Sequence, residues 1–378
     1  MKFLIVGHVV HKEVGDQVFA YGPYVKEMNV WGRYVEEIGI VAPFEKTSKP
    51  NPIDLSFQHA GIKPFPVSSF DTISASGKIK TILTLPGIIL NTMKAMRWAD
   101  HIHLRCPGNM GLVGCVAQVF FPSKVKTAKY AGNWDKGSYR PKSYQIQQSI
   151  LGNTSLSKKM TALVYGNWPN ESQNIKPFFT ASYSEKEKES IQPRNIELGK
   201  EINLLFVGTL DSGKQPQISV EVCKKLREKR INARLDLYGE GNLSDQLKKV
   251  IENENLQSFI KLHGNRPSDE IKMAYKNSHF LIFISKSEGW PKAVAEAMFW
   301  ACLPITTRVS CVPQMLGNGE RGELVNEDVN EIFERLENLI ENPSIYKEKA
   351  AKAMGWSRDY TLEKFESEIK KLLLNPAD

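Results

Sequence analysis

The sequence predicts an α/β protein built from two doubly wound, Rossmann-like halves. Three observations favour this fold: a length of 378 residues, short apolar runs that end at glycine, and helix-length segments between those runs. At about 150 residues per domain, a chain of this length predicts two domains. Short apolar runs before glycine are typical of buried parallel strands, and strands that alternate with helices are typical of βαβ units.

In the first half of the chain, the apolar run 3–6 ends at Gly7 and predicts the first strand. Further strands are predicted at 99–105, after a helical segment, and at 125–130, shortly before Gly132. The stretch 8–24 is rich in aromatic and histidine side chains, and we interpret it as a long loop after the first strand.

The second half alternates strands and helices more regularly and predicts a domain of about five parallel strands. Helix 216–228 places Ile218, Val222 and Leu226 on one face, because residues four apart lie on the same side of a helix. The predicted strands are 202–207, 234–238, 260–263, 280–284 and 303–306. The predicted helices are 216–228, 245–254, 268–277 and 291–300.

A charge-rich segment that ends at a proline, 185–194, is the best candidate for the linker between the halves. The predicted domains are therefore 1–185 and 195–356. Open parallel sheets bind ligands at the carboxyl ends of their strands. Two such sheets in tandem predict a ligand cleft where their strand ends face each other.

The charge balance favours an anionic partner without choosing it. Lysine plus arginine number 50 and aspartate plus glutamate 42, a net charge of +8, which suits nucleotides, phosphates, acidic lipid or nucleic acid. The five cysteines are odd in number and form no C-x-x-C pair, so a disulfide scaffold and a zinc ribbon are both disfavoured.

Two features predict a cytoplasmic protein. The apolar run 3–6 is shorter than an export signal requires. The longest apolar stretch, 81–93, is interrupted by Pro86 and Gly87 and is shorter than the ~20 residues that cross a bilayer. A peripheral contact with the inner face of the membrane is a second expectation, and a solvated surface is its alternative. The candidate lipid contacts are Lys78, Lys80, Lys124, Lys126, Lys158 and Lys159.

The most informative stretch, 285–298, joins a strand end to the start of a helix. Glu288 lies in the loop, and Glu296 lies about two turns into the helix. Free backbone N–H groups at a helix start favour an anion, and carboxylates accept hydrogen bonds from sugar hydroxyls. The alternative is that Glu288 is an ordinary acid at a helix start and Glu296 a solvated residue.

This stretch resembles the E-x7-E signature of the retaining glycosyltransferases of family 4, which have the GT-B fold. The resemblance extends over most of 202–325, where Gly208, Gly239 and Gly264 stand at strand ends as in that family. Cys302 stands where a glycine is usual. The matching residues of the signature are Ser285, Glu288, Gly289, Trp290, Pro291, Glu296, Ala297, Met298, Pro304 and Ile305.

The resemblance implies a site for a nucleotide sugar as co-substrate, with no cofactor and no metal. Glu296 would hold the ribose hydroxyls, Glu288 would hold the donor sugar, and Lys214 would neutralise the leaving diphosphate. The catalytic residues that it implies are His103, Lys214 and Glu288. The other implied donor-binding residues are Gly208, Gly239, Gly264, Asn265, Arg266, Gly289, Trp290, Pro291 and Lys292.

The chain departs from the family at the diphosphate. Thr209 stands where an arginine normally accompanies Lys214, so the pair of cations is incomplete. Removing one preorganised cation weakens transition-state stabilisation by a few kcal/mol unless another group substitutes. The substitutes to be weighed are Arg266, Lys292 and Arg105. A second departure is Gln314, which stands where the family usually has a glutamate.

The first half carries the acceptor-side candidates. His103 matches a family histidine near the donor sugar, although its spacing from His101 also suits a buried strand face. Arg105 and Asn109 precede or open a helix that suits a hydroxyl or phosphate. His11, Asn133 and Trp134 lie in aromatic loops suited to sugars, with loop packing as the alternative.

We therefore expect a metal-independent retaining glycosyltransferase of GT-B architecture, with two Rossmann-like domains facing across a cleft. Its terminal helix, within 358–378, would cross back to the first domain. The acceptor would be a glycan or lipid-linked hydroxyl in surface polysaccharide biosynthesis. The alternatives are a sugar-nucleotide epimerase of the same fold and a non-catalytic homologue that binds a sugar nucleotide. Nucleic-acid binding is disfavoured because basic residues are interleaved with acidic ones.

Overall fold

The computed structural model describes residues 1–51, 53–69, 75–197 and 199–374, with the backbone alone for 75–82. The chain divides into two compact units. The first comprises Met1–Phe178 together with the chain from Phe365, and the second comprises Phe179–Lys364.

The first unit alternates strands with helices. In chain order its elements are β1 (Lys2–Val6), β2 (His11–Val14), β3 (Gln17–Tyr21), α1 (Gly22–Gly32), β4 (Glu37–Ala42), β5 (Phe44–Lys46), β6 (Asp54–Ser56), β7 (Ile62–Pro66), α2 (Ala75–Trp98), β8 (His101–Cys106), α3 (Asn109–Ala117), β9 (Val125–Tyr130), α4 (Lys142–Gly152), β10 (Met160–Tyr165) and β11 (Ile175–Phe178).

Within the described residues, seven of these strands form a parallel sheet in the order β11-β10-β9-β8-β1-β4-β7. The predicted strands 3–6, 99–105 and 125–130 are confirmed as β1, β8 and β9 within two residues. Phe3, Leu4, Ile5 and Val6 are all fully buried, as a continuous apolar run predicts for a strand covered on both faces.

The prediction of a long loop over 8–24 is wrong. β2 and β3 pair antiparallel, with Val14 opposite Gln17, and they belong to a small sheet of order β5-β2-β3-β6. The two residues between them, Gly15 and Asp16, are a pair that favours a tight hairpin, and Gly15 has a φ of +59°. The aromatic composition of the segment obscured that signal.

The second unit follows the predicted sequence of elements closely. They are β12 (Ile202–Val207), α5 (Pro216–Glu228), β13 (Ala233–Tyr238), α6 (Ser244–Asn253), β14 (Ile260–Gly264), α7 (Ser268–Asn277), β15 (Phe280–Phe283), α8 (Lys292–Phe299), β16 (Leu303–Thr307), α9 (Val312–Met315), β17 (Glu323–Val325), α10 (Val329–Glu341) and α11 (Pro343–Ser357), followed by α12 (Leu362–Leu374).

In the part of the second unit that is described, the parallel sheet has the order β14-β13-β12-β15-β16-β17. It therefore contains one strand more than the five predicted. The additional strand is β17, whose three residues are too few to stand out as an apolar run. The order starts at β12 and runs outward to both edges, which is the doubly wound arrangement that the alternation predicts.

The segment 185–194 is attached to the second unit rather than free. Glu187 accepts hydrogen bonds from the backbone N–H and hydroxyl of Ser184 at 2.9 and 3.1 Å. Glu189 accepts a hydrogen bond from Lys276 at 2.6 Å, and Arg194 donates to the carbonyl oxygen of Trp300 at 2.6 Å. The division between the units falls instead between Phe178 and Phe179.

The end of α12, from Phe365, belongs to the first unit. Phe365 packs on Phe178 with a ring distance of 5.5 Å. Glu366 accepts hydrogen bonds from Arg33 at 2.7 Å and from the Tyr34 hydroxyl at 2.8 Å. The assignment changes at Phe365, inside the helix, rather than at 358.

Among the described residues, no helix has both the length and the apolar character that crossing a membrane requires.

Candidate functional site

The ends of three neighbouring strands of the second unit form a small cavity. Gly239, which follows β13, has a φ of +130°, and a Cβ atom there would lie 1.9 Å from the carbonyl oxygen of Gly208. The backbone N–H of Gly239 donates to the carbonyl oxygen of Gly264 at 2.9 Å. These glycines therefore let the three strand ends approach closely, and only a residue without a side chain fits at 239.

The cavity has a volume of about 260 Å³. Gly208, Gly239, Asn265 and Arg266, all predicted donor-binding residues, line it together with Thr209. Its remaining lining residues are Val207, Tyr238, Glu240 and Ile271. The sequence motifs did not single out Tyr238, whose ring stacks on His263 with a centroid distance of 4.4 Å.

Lys214 and Glu288, predicted as catalytic residues, are in direct contact. The Lys214 ammonium group donates to Glu288 Oε1 and lies 4.9 Å from the centre of the Phe283 ring. The Lys214 loop is held by Asp211, whose carboxylate accepts from the backbone N–H groups of Gly213 and Lys214 at 2.8 and 2.9 Å. A separation of 74 positions along the chain gives the sequence no means to show this contact.

The loop that carries Glu288 is tied to its neighbours through backbone carbonyls. Ser285 Oγ donates to the carbonyl oxygen of Ser287 at 3.2 Å. The carbonyl oxygen of Gly289 accepts from Ser310 Oγ at 3.1 Å and from Cys311 Sγ at 3.3 Å. Ser310 and Cys311 thus hold the predicted donor loop.

The loop ends at the start of α8. Pro291 precedes this helix, and no side chain caps its N-terminus. Uncapped backbone N–H groups at a helix start carry partial positive charge and attract anions. Lys292, the first residue of α8, is exposed, and Trp290 stacks near Trp356 with a ring distance of 6.1 Å.

Glu296 is positioned by two hydroxyl groups. Ser182 Oγ donates to its Oε1 at 2.5 Å, and the Tyr275 hydroxyl donates to its Oε2 at 3.2 Å. Burial and then the Glu296 charge raise the pKa of Tyr275 well above its ordinary value, so this hydroxyl stays a donor. Neither Ser182 nor Tyr275 belongs to the signature, and only folding reveals their role.

A second, larger cavity of about 570 Å³ lies beside β13 and α7. Asp236 and Tyr238 are among its lining residues, and Tyr238 therefore lines both cavities. Asp236 Oδ1 is 2.6 Å from His263 Nε2, which holds the ring that stacks on Tyr238. Within the described ranges, no group of three or more histidine, cysteine, aspartate or glutamate residues is arranged to hold a metal ion.

His103 is fully buried in the first unit, a placement that suits packing on a buried face of β8. Its Nδ1 is 2.8 Å from Thr127 Oγ1, and the Trp31 ring lies 4.5 Å away. Burial, followed by the charge of Arg105, keeps its pKa well below the ordinary value. A neutral ring enclosed by Phe3 and Trp31 cannot touch a bound sugar without rearrangement of the core.

Two further acceptor candidates are also core residues. His11 is 1% exposed, and its Nδ1 is 2.8 Å from the carbonyl oxygen of Val9. Burial lowers the pKa of His11 to about 4. Trp134 is 0% exposed and therefore offers no ring face for stacking. Asn133 uses its amide within its own loop, donating to Ser138 Oγ at 3.0 Å.

Arg105 and Asn109 remain as acceptor-side candidates with access to solvent. Arg105 leaves β8 at its carboxyl end, and Asn109 opens α3. Arg105 Nη1 donates to Glu27 Oε1 at 2.5 Å, and Glu27 Oε2 lies 3.1 Å from Lys129 Nζ. Sequence reasoning missed Glu27 and Lys129, because nothing in their local pattern marks them.

Two of the lysines predicted as lipid contacts are instead hydrogen-bonded within the first unit. Lys126 is 1% exposed and donates to the carbonyl oxygen of Phe121 at 2.7 Å. Burial is the main reason why its pKa falls to about 8. Lys124 donates to the carbonyl oxygen of Ala99 at 2.5 Å. Lys78 and Lys80 lie outside the residues whose side chains are described.

Comparison with known proteins finds a family match within the second unit. Residues 187–355 match the family described as glycosyl transferases group 1. An uncharacterised glycosyltransferase of Haemophilus influenzae is 30% identical over 177 residues, covering 45% of this chain and 48% of that protein. The N-acetylgalactosamine-N,N'-diacetylbacillosaminyl-diphospho-undecaprenol 4-alpha-N-acetylgalactosaminyltransferase of Campylobacter jejuni is 28% identical over 173 residues, or 45% and 46% of the two chains. The chain thus spans about half the length of the curated relatives that it matches.

The whole chain resembles solved structures in fold. The Anabaena protein Alr3699/HepE, solved in complex with UDP, superposes with a TM-score of 0.69 over 99% of both chains at 13% identity. At that identity the likeness establishes the fold alone. Residues 187–355 thus match the glycosyl transferases group 1 family, and the whole chain has the GT-B fold.

Proposed function

We propose that this chain is a retaining glycosyltransferase that moves a sugar from a nucleotide-diphosphate sugar to a hydroxyl group of a glycan or lipid-linked acceptor. The observation that carries the proposal is the contact between Lys214 and Glu288. This contact joins a cation suited to a diphosphate and a carboxylate that can accept hydrogen bonds from sugar hydroxyls. Both lie within the unit that matches the family. The nucleotide sugar is the co-substrate, and no further cofactor is part of the proposal.

In this proposal the positively charged groups of the site bind the leaving diphosphate. The Lys214 ammonium group and the uncapped N–H groups of α8 balance the charge that develops when the sugar departs. Arg266 lines the same cavity as Thr209, so it is our choice for the second cation that Thr209 does not supply. Because these groups perform the electrostatic task of a divalent cation, we expect metal-independent activity.

Glu296 binds the ribose in this proposal. Ser182 and Tyr275 orient its carboxylate through hydrogen bonds of 2.5 and 3.2 Å. A carboxylate oxygen accepts more than one hydrogen bond, so ribose hydroxyls can be bound beside these two donors. The Anabaena neighbour was solved with UDP, which makes a uracil nucleotide the first donor to test.

Retention requires that the new bond form on the face from which the diphosphate leaves. The bond between the anomeric carbon and the diphosphate oxygen breaks, and the acceptor oxygen bonds to that carbon on the same side. The acceptor proton passes to the departing diphosphate oxygen. The protein's part is to orient the sugar through Glu288 and to balance the diphosphate through Lys214.

The acceptor side is assigned to the first unit, where Arg105 and Asn109 lie at the carboxyl end of β8. The name of the Campylobacter relative describes transfer to a sugar on diphospho-undecaprenol, which supports a lipid-linked acceptor. A role in polysaccharide biosynthesis and a peripheral membrane contact are part of the same proposal. A sugar-nucleotide epimerase remains the alternative, and it would convert the nucleotide sugar without any acceptor.

The test is a screen of nucleotide sugars by thermal shift, because a ligand of the folded state raises the melting temperature, followed by transfer assays on the donor that binds. Lys214→Ala and Glu296→Ala should each lower transfer at least a hundredfold, as expected for about 3 kcal/mol of lost transition-state stabilisation. Lys352→Ala is the matched control, because Lys352 forms an exposed pair with Glu348 at 2.7 Å. An active Lys214→Ala enzyme, inactivation by EDTA, or an epimer formed without acceptor would each contradict the proposal.

A further inference from the structure

A buried charge cluster in the first unit, Glu27–Arg105–Lys129, lies at the carboxyl ends of two adjacent strands. Arg105 of β8 and Lys129 of β9 are partners in the strand register, so their side chains leave the same face of the sheet. Glu27 of α1 meets both, with Oε1 2.5 Å from Arg105 Nη1 and Oε2 3.1 Å from Lys129 Nζ. A single carboxylate is therefore shared between two cations.

Little of the three side chains is exposed to solvent. The side chains of Glu27, Arg105 and Lys129 are 11%, 14% and 1% exposed. Burial alone would raise the pKa of Glu27, but Arg105 and Lys129 outweigh it and lower that pKa to about 2. Removing charges from water costs several kcal/mol per ion. Burying a guanidinium group that shares its counterion with a second cation therefore costs stability.

Arg105 still has donors to offer. Its guanidinium group has five N–H donors, and within the described residues only Nη1 makes a hydrogen bond, to Glu27. Neither Nε nor Nη2 of Arg105 is among the fully buried atoms without a partner, so these two nitrogens reach solvent. The Tyr24 ring lies 5.6 Å from the guanidinium carbon and, with Glu27, limits how the group can turn.

The surroundings of Arg105 also favour an anion. Arg105 is followed after three residues by α3, whose N-cap is Gly108 and has no side-chain cap. A Cβ atom on Gly108 would lie 3.1 Å from Nδ1 of His8, so the backbone at the helix start and the His8 ring lie close together. Backbone N–H groups at a helix start are suited to phosphate and carboxylate oxygens.

We propose that Arg105 binds an anionic oxygen group of the acceptor, a phosphate or a carboxylate, and that Glu27 and Lys129 are positioning residues for its guanidinium. The proposal rests on the proposed function, because it assigns the chemical class of the acceptor to the first unit. A planar guanidinium fixed by a carboxylate on one side presents its remaining N–H groups in a geometry that matches such a group.

The first experiment measures anion binding without any sugar. Inorganic phosphate and, separately, acetate are titrated calorimetrically into Lys214→Gln protein, which lacks one of the two proposed donor-side cations, and into Lys214→Gln/Arg105→Gln protein. Binding should be at least tenfold weaker in the double variant. Stronger binding of phosphate than of acetate would assign the acceptor group as phosphate, and the reverse order as carboxylate. Equal binding by the two proteins would overturn the proposal.

Two controls distinguish failure of this inference from a purely structural role of Arg105 and from failure of the proposed function. Arg105→Lys keeps the charge but loses the planar fork, so in the same Lys214→Gln background it should weaken phosphate binding severalfold while the fold, monitored by circular dichroism, is retained. A structural role alone would instead lower the melting temperature and leave anion affinity unchanged, which would contradict the proposal. Nucleotide-sugar binding to Arg105→Gln protein should match that of the wild type. If wild-type protein binds no nucleotide sugar, the proposed function fails, whereas normal donor binding with no effect of Arg105 on anions defeats this inference alone.

Discussion

Replacing Glu27 by glutamine should destabilise the first unit in a strongly pH-dependent way. In the folded protein, the charges of Arg105 and Lys129 overcome burial and lower the pKa of Glu27 from 4.5 to about 2. The carboxylate therefore stays ionised in the folded protein at pH values where it is already protonated in the unfolded chain. Its contribution to stability is complete above the ordinary pKa and is lost as the pH falls towards 2.

The size of the effect follows from the same values. A difference between 4.5 and about 2 corresponds, at about 1.4 kcal/mol per pH unit, to about 3 kcal/mol at pH 7 and to about 1.4 kcal/mol at pH 3. Leaving two buried cations without their carboxylate costs about 3–5 kcal/mol, which agrees with the figure at neutral pH. The difference in stability between wild type and Glu27→Gln should therefore shrink by about 2 kcal/mol from pH 7 to pH 3.

The assay is urea unfolding at pH 7, 5, 4 and 3, followed by circular dichroism, with amide hydrogen exchange in β8 and β9 to report on the first unit. Taking the difference between wild type and variant at each pH removes the contribution of the other carboxyl groups. Glu348→Gln is the control, because Glu348 forms an exposed pair with Lys352 and should change stability little. A Glu27→Gln protein as stable as wild type, or a stability difference independent of pH, would refute the reasoning.

The remaining predictions concern the strand-end glycines and the membrane. Gly239→Ala should weaken nucleotide-sugar binding at least tenfold and lower the melting temperature, because its Cβ would lie 1.9 Å from the carbonyl oxygen of Gly208; unchanged binding would contradict the donor site. Gly355 lies in α11, and an added Cβ there has nothing within 4 Å. Gly355→Ala should therefore stabilise the folded protein by about 1 kcal/mol, and calorimetry compares the melting temperatures of the two variants. Leu83 and Leu90 of α2 are 75% and 68% exposed and seven residues apart, so replacing both by serine should reduce sedimentation with phosphatidylglycerol vesicles severalfold. Met273→Ser in α7, at a residue 49% exposed, is the control, and equal sedimentation of both variants would contradict a lipid contact through α2.

The elements of the second unit were predictable because each depends on a short window of sequence. The helices 216–228 and 268–277 agree with α5 and α7 at both ends, since each begins at a helix-start residue and carries a regular apolar face. The signature around Glu288 and Glu296 likewise occupies one continuous stretch. The first unit was harder, because its hairpin of β2 and β3 was hidden within an aromatic segment.

Taken alone, the sequence determined the alternation of strands and helices, the division into two halves, and the acids and lysine of the donor-side signature, because all of these lie in local patterns. Only the tertiary structure decided which polar side chains are buried and which meet. It enclosed His103 between Phe3 and Trp31, and it brought Glu27 of α1 to Arg105 and Lys129 through strand pairing. Local patterns cannot show these outcomes, because burial and long-range contact depend on how distant segments pack rather than on their own residues.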